Sequence, residues 1–313
     1  MQVPKKKVFV RKGDPFVYIW VMGEWYCYRP DVPPLGSGAM GDVYRGFRCN
    51  DGSVVAIKKV KDEYANNPMI RERARQEASL AFRHPNLVEM IGYQECAPGE
   101  GPIFLLSHFV NGEDSDKYVA HFGESSQRVE KICRLTCSVL DALDYVHSRG
   151  VIHRDIKPSN IMVENDSNVR LMDLGIARMN GGNKFSMYGF IGTPQYAAPE
   201  QIKRGEQSDG ERGIDATTDI YALGITMYEL LTGKNPMDNP SQSEILANQL
   251  TKKLPVDDAI PRPLMQVLWK ATEKEQAKRF QIAKEFRDAI ELALQPPSSP
   301  FQRFKDWLSN IFY

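Results

Sequence analysis

The chain has 313 residues, 42% of them hydrophobic, which is long enough for one two-lobed domain with a sizeable core. Its 40 Lys and Arg cancel its 40 Asp and Glu, so net charge supplies no field for nucleic acid or an anionic membrane, and binding of either kind would need a local patch. Lys5, Lys6 and Lys7 look like the start of a secretory leader, but Arg11, Lys12 and Asp14 interrupt the apolar stretch that would have to follow, and no run of about 18 apolar residues could cross a bilayer.

In chain order, residues 8–10, 16–20 and 25–28 are β-branched and aromatic runs separated by Gly13-Asp14-Pro15 and Gly23-Glu24, and they predict three short strands. Residues 35–58 read as strand, glycine turn, strand, a turn at Asn50-Asp51-Gly52, and strand. Asn67 and Pro68 suit a helix cap and first helical position, and predict a helix to about Arg83. Residues 103–109 form an apolar strand broken by Val110-Asn111-Gly112. Beyond that break helices dominate. Ile132, Leu135, Val139, Leu143 and Val146 predict one over 128–149 ending at Gly150, and Ile220, Leu223, Met227 and Leu230 predict another over 218–232 ending at Gly233. Five cysteines, odd in number and without a Cys-x-x-Cys pair, read as reduced thiols; Cys133 and Cys137 fit small buried hydrophobes on the first of these helices. Residues 296–300 predict a linker, after which Phe301, Phe304, Leu308, Ile311 and Phe312 fall at helical spacing. Such a tail would pack on its own domain, bind a partner or lie on a membrane surface.

Four segments carry chemistry. Leu35-Gly36-Ser37-Gly38-Ala39-Met40-Gly41-Asp42-Val43-Tyr44 is a Gly-x-Gly-x-x-Gly turn, and glycines let backbone amides approach phosphate oxygens. A dinucleotide-binding turn would lead into a helix, whereas Val43 continues a strand. Val55-Ala56-Ile57-Lys58 is followed nineteen residues later by Glu77, with Glu72 a competing carboxylate on a different helix face. His153-Arg154-Asp155-Ile156-Lys157-Pro158-Ser159-Asn160 is followed, thirteen residues after Asn160, by Asp173-Leu174-Gly175. Gly192-Thr193-Pro194-Gln195-Tyr196-Ala197-Ala198-Pro199-Glu200 is the fourth. They supply a carboxylate for a hydroxyl, cations for phosphate, and hard oxygen ligands that suit Mg²⁺.

In this order the segments resemble those of eukaryotic-like Ser/Thr protein kinases, above all the bacterial members, over about residues 31–294. The resemblance implies an α+β, bilobal protein-kinase-like fold with a small β-rich N-lobe and a larger helical C-lobe. Residues 1–30 would be a β-rich extension, 31–107 the N-lobe, 108–294 the hinge and C-lobe, and 295–313 the linker and amphipathic tail. It also implies ATP, with Mg²⁺ or Mn²⁺, as the source of a γ-phosphate for protein hydroxyls. Leu35, Gly36, Ser37, Gly38, Gly41 and Val43 would cover the nucleotide. Ala56, Met162 and the backbone of His108 and Val110 would surround the base, with Ser107 as gatekeeper. Lys58, paired with Glu77, would hold the α- and β-phosphates, and Asn160 and Asp173 the metal. Asp155, a feeble base at neutral pH, would orient the hydroxyl, and Lys157 would neutralise the transferring group.

By the same resemblance Thr193 would contact Asp155 and Lys157, Glu200 would pair with Arg279, and Asp219 would brace the catalytic loop. Arg154 would receive a phosphate on Ser186 or, as a second choice, Tyr188. Leu174 replaces the family's Phe, which keeps an apolar contact and puts switching behaviour in question. Expected partners are ATP, protein substrates and a second copy for autophosphorylation, with no nucleic acid, and membrane contact through the tail alone. The expected compartment is the cytoplasm, as a free chain or as the kinase domain of a membrane receptor. Two other readings compete. A pseudokinase-like nucleotide-binding scaffold would normally lose one of Lys58, Glu77, Asp155, Asn160 and Asp173, and a small-molecule kinase would lack the segment 192–200.

Overall fold

The β-branched and aromatic runs of the first 108 residues pair into one antiparallel sheet. The computed structural model describes residues 6–38, 41–97, 101–123, 127–165, 168–174, 185–186, 189–190, 193–203 and 213–295. Strands β1 (Val8–Val10), β2 (Val17–Val21), β3 (Glu24–Tyr28), β4 (Gly36–Ser37), β5 (Gly41–Arg48), β6 (Val54–Val60), β7 (Met90–Glu95) and β8 (Ile103–His108) lie in the order β1-β2-β3-β5-β6-β8-β7, with β4 added to β5. Alternation puts Ile19, Val21, Tyr26, Tyr28, Val55, Ile57, Phe104 and Leu106 in one buried cluster. Half of it comes from the β2–β3 hairpin, so the N-terminal strands complete the small lobe's core. The hairpin also comes round to β7, where a side chain on Gly92 would strike Val21 and Met22. On the opposite face Phe9 meets Tyr18 at 5.1 Å and Trp25 at 5.0 Å, and Trp25 meets Trp20 at 5.0 Å.

Helices α1 (Asp62–Ala65) and α2 (Pro68–Ser79) follow β6. Ile70, Ala74 and Ala78, four apart, set one face of α2 against Val60, Ile103 and Leu105. The helix stops at Ser79, short of the expected Arg83, because Leu80 and Phe82 turn away to pack on the large-lobe core. The next loop is tied across the lobes. Asn86 donates from Nδ2 to the Val169 carbonyl (3.0 Å) and accepts on its own carbonyl from the Leu171 amide (2.8 Å).

The large lobe contains a small sheet of β9 (Gly112–Asp114), β10 (Ile161–Glu164) and β11 (Val169–Leu171), and helices α3 (Ser115–Ala120), α4 (Arg128–His147), α5 (Pro199–Lys203), α6 (Ala216–Thr232), α7 (Gln242–Thr251), α8 (Arg262–Ala271) and α9 (Ala283–Leu294). The apolar stripe expected for 128–149 is the buried face of α4. Gly150, at φ 75°, ends it by giving its amide to His147, while Val151 gives its own to Val146. Gly233, at φ 76°, ends α6 in the same left-handed geometry. At the other end Asp215 accepts the Thr217 amide at 2.8 Å. All five cysteines are free thiols, and burial pushes Cys133 up to about 12 and Cys137 to about 11. Among the described residues no helix is long and apolar enough to cross a membrane. The linker and tail, 296–313, lie outside the described residues.

Candidate active site

The candidate catalytic loop connects the end of α4 to β10 and is held from beneath by α6. Asp219, wholly buried, accepts the amides of His153 and Arg154, each at 2.7 Å, and His147 Nε2 at 2.8 Å. Burial opposes its charge, but the bonds from His147 and the Arg154 amide win, and its carboxyl is held below the usual carboxylate range. They also hold Arg154 at φ 66°, a left-handed backbone that costs a non-glycine residue about 1–3 kcal/mol. Asp155 emerges from this turn. Its Oδ2 lies 3.3 Å from Lys157 Nζ and 3.1 Å from Asn160 Nδ2. A 3-10 turn over Pro158–Asn160 folds Asn160 back, so that Nδ2 also reaches the Asp155 carbonyl at 2.7 Å.

His153 bonds the Met172 carbonyl through Nε2 at 2.8 Å, tying the loop to the strand that leads to Asp173. Asp173, at φ 42°, is the second strained position in this site. Its Oδ2 meets Lys58 Nζ at 3.1 Å across 115 residues of chain, and that ammonium holds its carboxyl below the usual range. Its side chain is still 49% exposed to the cleft. Asn160 turns its nitrogen toward Asp155, so its amide oxygen is the atom it could offer a cation. With the second oxygen of Asp173, this is a hard donor set that fits Mg²⁺ or Mn²⁺.

Sheet register places Val43 opposite Lys58, and Ala56 opposite both Arg45 and Ser107, so these residues share the face away from the small-lobe cluster. Gly41 has no room for a side chain, because a Cβ would stand 2.5 Å from the Lys59 carbonyl oxygen. Gly38 donates its amide to the Gly41 carbonyl at 2.9 Å, and Leu35 its amide to Val43 at 2.7 Å, which closes the glycine hairpin. At the hinge the His108 amide is taken by the Glu89 carbonyl at 3.0 Å. Val110 is buried, and Met162, between the core residues Ile161 and Val163, turns to the opposite face. A cavity of about 500 Å³ lies beside the hinge, lined by His84, Glu89, His108, Val110 and Arg170 among others, and includes none of the candidate catalytic residues.

Glu72 is engaged on the outer surface of α2 by Arg75 at 3.2 Å and Gln76 at 3.3 Å. Position 77 falls three residues after the inward Ala74; its side chain lies outside the described residues.

Past the metal loop, Leu174 packs on the large-lobe core, keeping the apolar contact expected of it. Gly175, Tyr188 and Gly192 lie outside the described residues. Ser186 is on β12 (Phe185–Ser186), which pairs with β13 (Gly189–Phe190), and its side chain is not described. Thr193 accepts Lys157 Nζ at 3.0 Å, which joins the end of this segment to the catalytic loop. Glu200 takes a two-pronged pair from Arg279 at 2.8 and 2.9 Å, and Thr218 donates to it at 2.7 Å. Arg154 is buried and lines a small cavity with Thr193, Tyr196 and Gln201, and its carbonyl accepts Gln201 Nε2 at 3.3 Å. Sequence reasoning missed His147 and Gln249. Each is a polar residue set in a helix's buried stripe, and that break in the pattern was the available signal.

The family model for the protein kinase domain matches residues 31–291. The chain belongs to the protein kinase domain family. A probable serine/threonine-protein kinase of Streptomyces coelicolor is 34% identical to this kinase domain over 273 residues, which cover 84% of the chain and 39% of that protein. Serine/threonine-protein kinase PknH of Mycobacterium tuberculosis is 31% identical over 270 residues, covering 84% and 41%. The crystal structure of the M. tuberculosis PknI kinase domain superposes with a TM-score of 0.64 at 27% identity, covering 91% of this chain and 99% of that one. The kinase domain thus spans about two fifths of the length of the curated relatives it matches.

Proposed function

We propose that this kinase domain is an active ATP-dependent protein kinase that phosphorylates serine and threonine hydroxyls. The observation that carries the reading is the meeting of Lys58 with Asp173, and of Asn160, Asp155, Lys157 and Thr193, in two hydrogen-bonded sets. Glycine amides of residues 36–41 and the Lys58 ammonium would hold the phosphates, with Glu77 orienting Lys58. Leu35, Val43, Ala56 and Met162 would enclose the base. Because the His108 amide is already committed, the amide that bonds the base would be that of Val110, leaving His108 its carbonyl. Mg²⁺ or Mn²⁺, held by Asn160 and Asp173, would supply positive charge against the phosphate oxygens. Asp155 would orient the substrate hydroxyl and accept its proton late, as the oxygen bonds phosphorus and the bond to ADP breaks. Lys157 would offset charge on the transferring group, and its bond to Thr193 favours a Ser/Thr acceptor over tyrosine.

Arg154 would receive a phosphate on Ser186, or on Tyr188, which would order the segment after Asp173. Removal of that phosphate and Arg154→Ala should then cause the same deficit. Full activity of a chain whose mass shows no phosphate between 173 and 200 would refute the switch. A cytoplasmic setting, self-association for autophosphorylation, and a tail that touches membrane complete the reading. The primary test is incubation of the chain with labelled ATP, Mg²⁺ and a generic protein substrate, followed by phosphoamino-acid separation. Phosphoserine or phosphothreonine that disappears with Lys58→Met is expected. Nucleotide binding without transfer would select the scaffold reading, which the retained Lys58, Asp155, Asn160 and Asp173 disfavour.

A further inference from the structure

Gln249 is completely buried near the end of α7, one turn after Ile245, at a position where an apolar residue would continue the stripe. A buried amide must find partners for both ends. Its Nε2 donates to the carbonyl of Pro194 at 3.1 Å and to that of Gln195, and its Oε1 accepts the Tyr221 hydroxyl at 2.6 Å. Tyr221, also buried, accepts Lys274 Nζ at 2.7 Å.

The polarity of this relay has one solution. An ammonium can only donate, so the single hydroxyl hydrogen of Tyr221 goes to Gln249, whose Oε1 at 2.6 Å is a nearer acceptor than its carbonyl at 3.4 Å. That turns the amide nitrogen toward residues 194 and 195. Lys274 from the loop after α8 and Tyr221 from α6 therefore set the orientation of Gln249 on α7. Pro194 and Gln195 follow directly on Thr193, which is bonded to Lys157 beside Asp155. A peptide whose hydroxyl lies at Asp155 would therefore lie beside this 3-10 turn.

We propose that Gln249 is a positioning residue for the peptide substrate: it clamps the backbone ledge at Pro194 and Gln195 at the height the acceptor hydroxyl requires, in the orientation imposed by Tyr221 and Lys274. The inference rests on the reading of this chain as an active protein kinase.

The test measures KM for peptide and KM for ATP separately, in the full chain, with the best-phosphorylated peptide of an arrayed Ser/Thr library. Gln249→Met keeps the volume but removes the side-chain bond to both carbonyls, leaving Pro194 only the Ala197 amide at 3.2 Å, and should raise the peptide KM about tenfold while the ATP KM moves less than about twofold. Gln249→Glu can still accept from Tyr221 but sets a carboxylate against two carbonyls, and should raise the peptide KM further. Tyr221→Phe keeps the ring, and should raise the same constant about threefold. If Gln249→Met does not fold, Tyr221→Phe decides by the same split. A brace that merely steadies α7 would lower thermal stability without separating the two constants, and that result overturns the proposal. A wild-type chain that transfers phosphate to no peptide refutes the kinase reading and this inference with it, whereas an active wild type with unmoved variants refutes the inference alone.

Discussion

Replacing Asp219 with Asn changes almost no volume, yet it removes one of two acceptor oxygens beneath the catalytic loop. The amide does best by keeping its oxygen on the His153 amide and His147, which turns its NH2 against the Arg154 amide, now 2.7 Å from an acceptor. One charge-assisted bond worth about 1.5–3 kcal/mol is lost, and a buried donor left unsatisfied costs about 1–3 more, for a total of about 2.5–6 kcal/mol. That is a large share of a typical domain's stability of about 5–15 kcal/mol. Arg154 would also lose the bond that keeps its backbone left-handed, and the adjacent Asp155 would move. A displacement of about 1 Å is enough to lower kcat about 100-fold. Urea unfolding and peptide phosphorylation measure the two effects. Because the carboxyl of Asp219 is depressed in the folded state, its contribution is present above the ordinary value of 3.8 and is lost as pH falls through the folded pKa. The gap between wild type and variant should therefore narrow below pH 3.8. A variant within about 1 kcal/mol of wild type that keeps kcat within about twofold would show that the loop holds its shape without α6.

Asp173→Asn should lower kcat by about 10³ or more with little change in thermal midpoint, since the side chain is half exposed; activity within tenfold of wild type would remove Asp173 from the metal site. Glu200→Gln leaves the buried Arg279 without its counter-charge and should cost about 3–5 kcal/mol in urea unfolding, whereas the double replacement Glu200→Met with Arg279→Met should cost less. Burial pushes Lys274 down from 10.5 to about 8. Between those values the unfolded chain holds the proton that the folded chain has released, so the contribution of Lys274 to stability should rise with pH across pH 8 to 10.5. Lys274→Met should flatten that rise, and an unchanged profile would mean the ammonium stays charged in place.

Much of the site was legible because its conformations are local. The run from His153 to Asn160 contains its own turn, and the glycine turn announces both the tight hairpin and the missing side chain at Gly41. Gly150 and Gly233 end their helices where a left-handed residue was expected. The pairing of Glu200 with Arg279 and the brace from Asp219 followed from the family resemblance, which carries long-range information that spacing does not. The end of α2 was less legible. Helical propensity ran on past Ser79, but burial of Leu80 and Phe82 in the other lobe outweighs the few bonds that continuing the helix would add.

By itself the sequence determined which faces are apolar, where strands and helices turn, and which residue types stand ready for phosphate, metal and hydroxyl. A period of two or of 3.6 residues says that a face is buried, not what covers it. Tertiary structure alone decided that Lys58 meets Asp173, that Glu72 is spent on Arg75, and that the first strands supply half of the small-lobe cluster. It also decided what Gln249 does. A buried amide's partners lie on elements distant in sequence, and its orientation depends on a hydroxyl that is itself fixed by an ammonium 53 residues away.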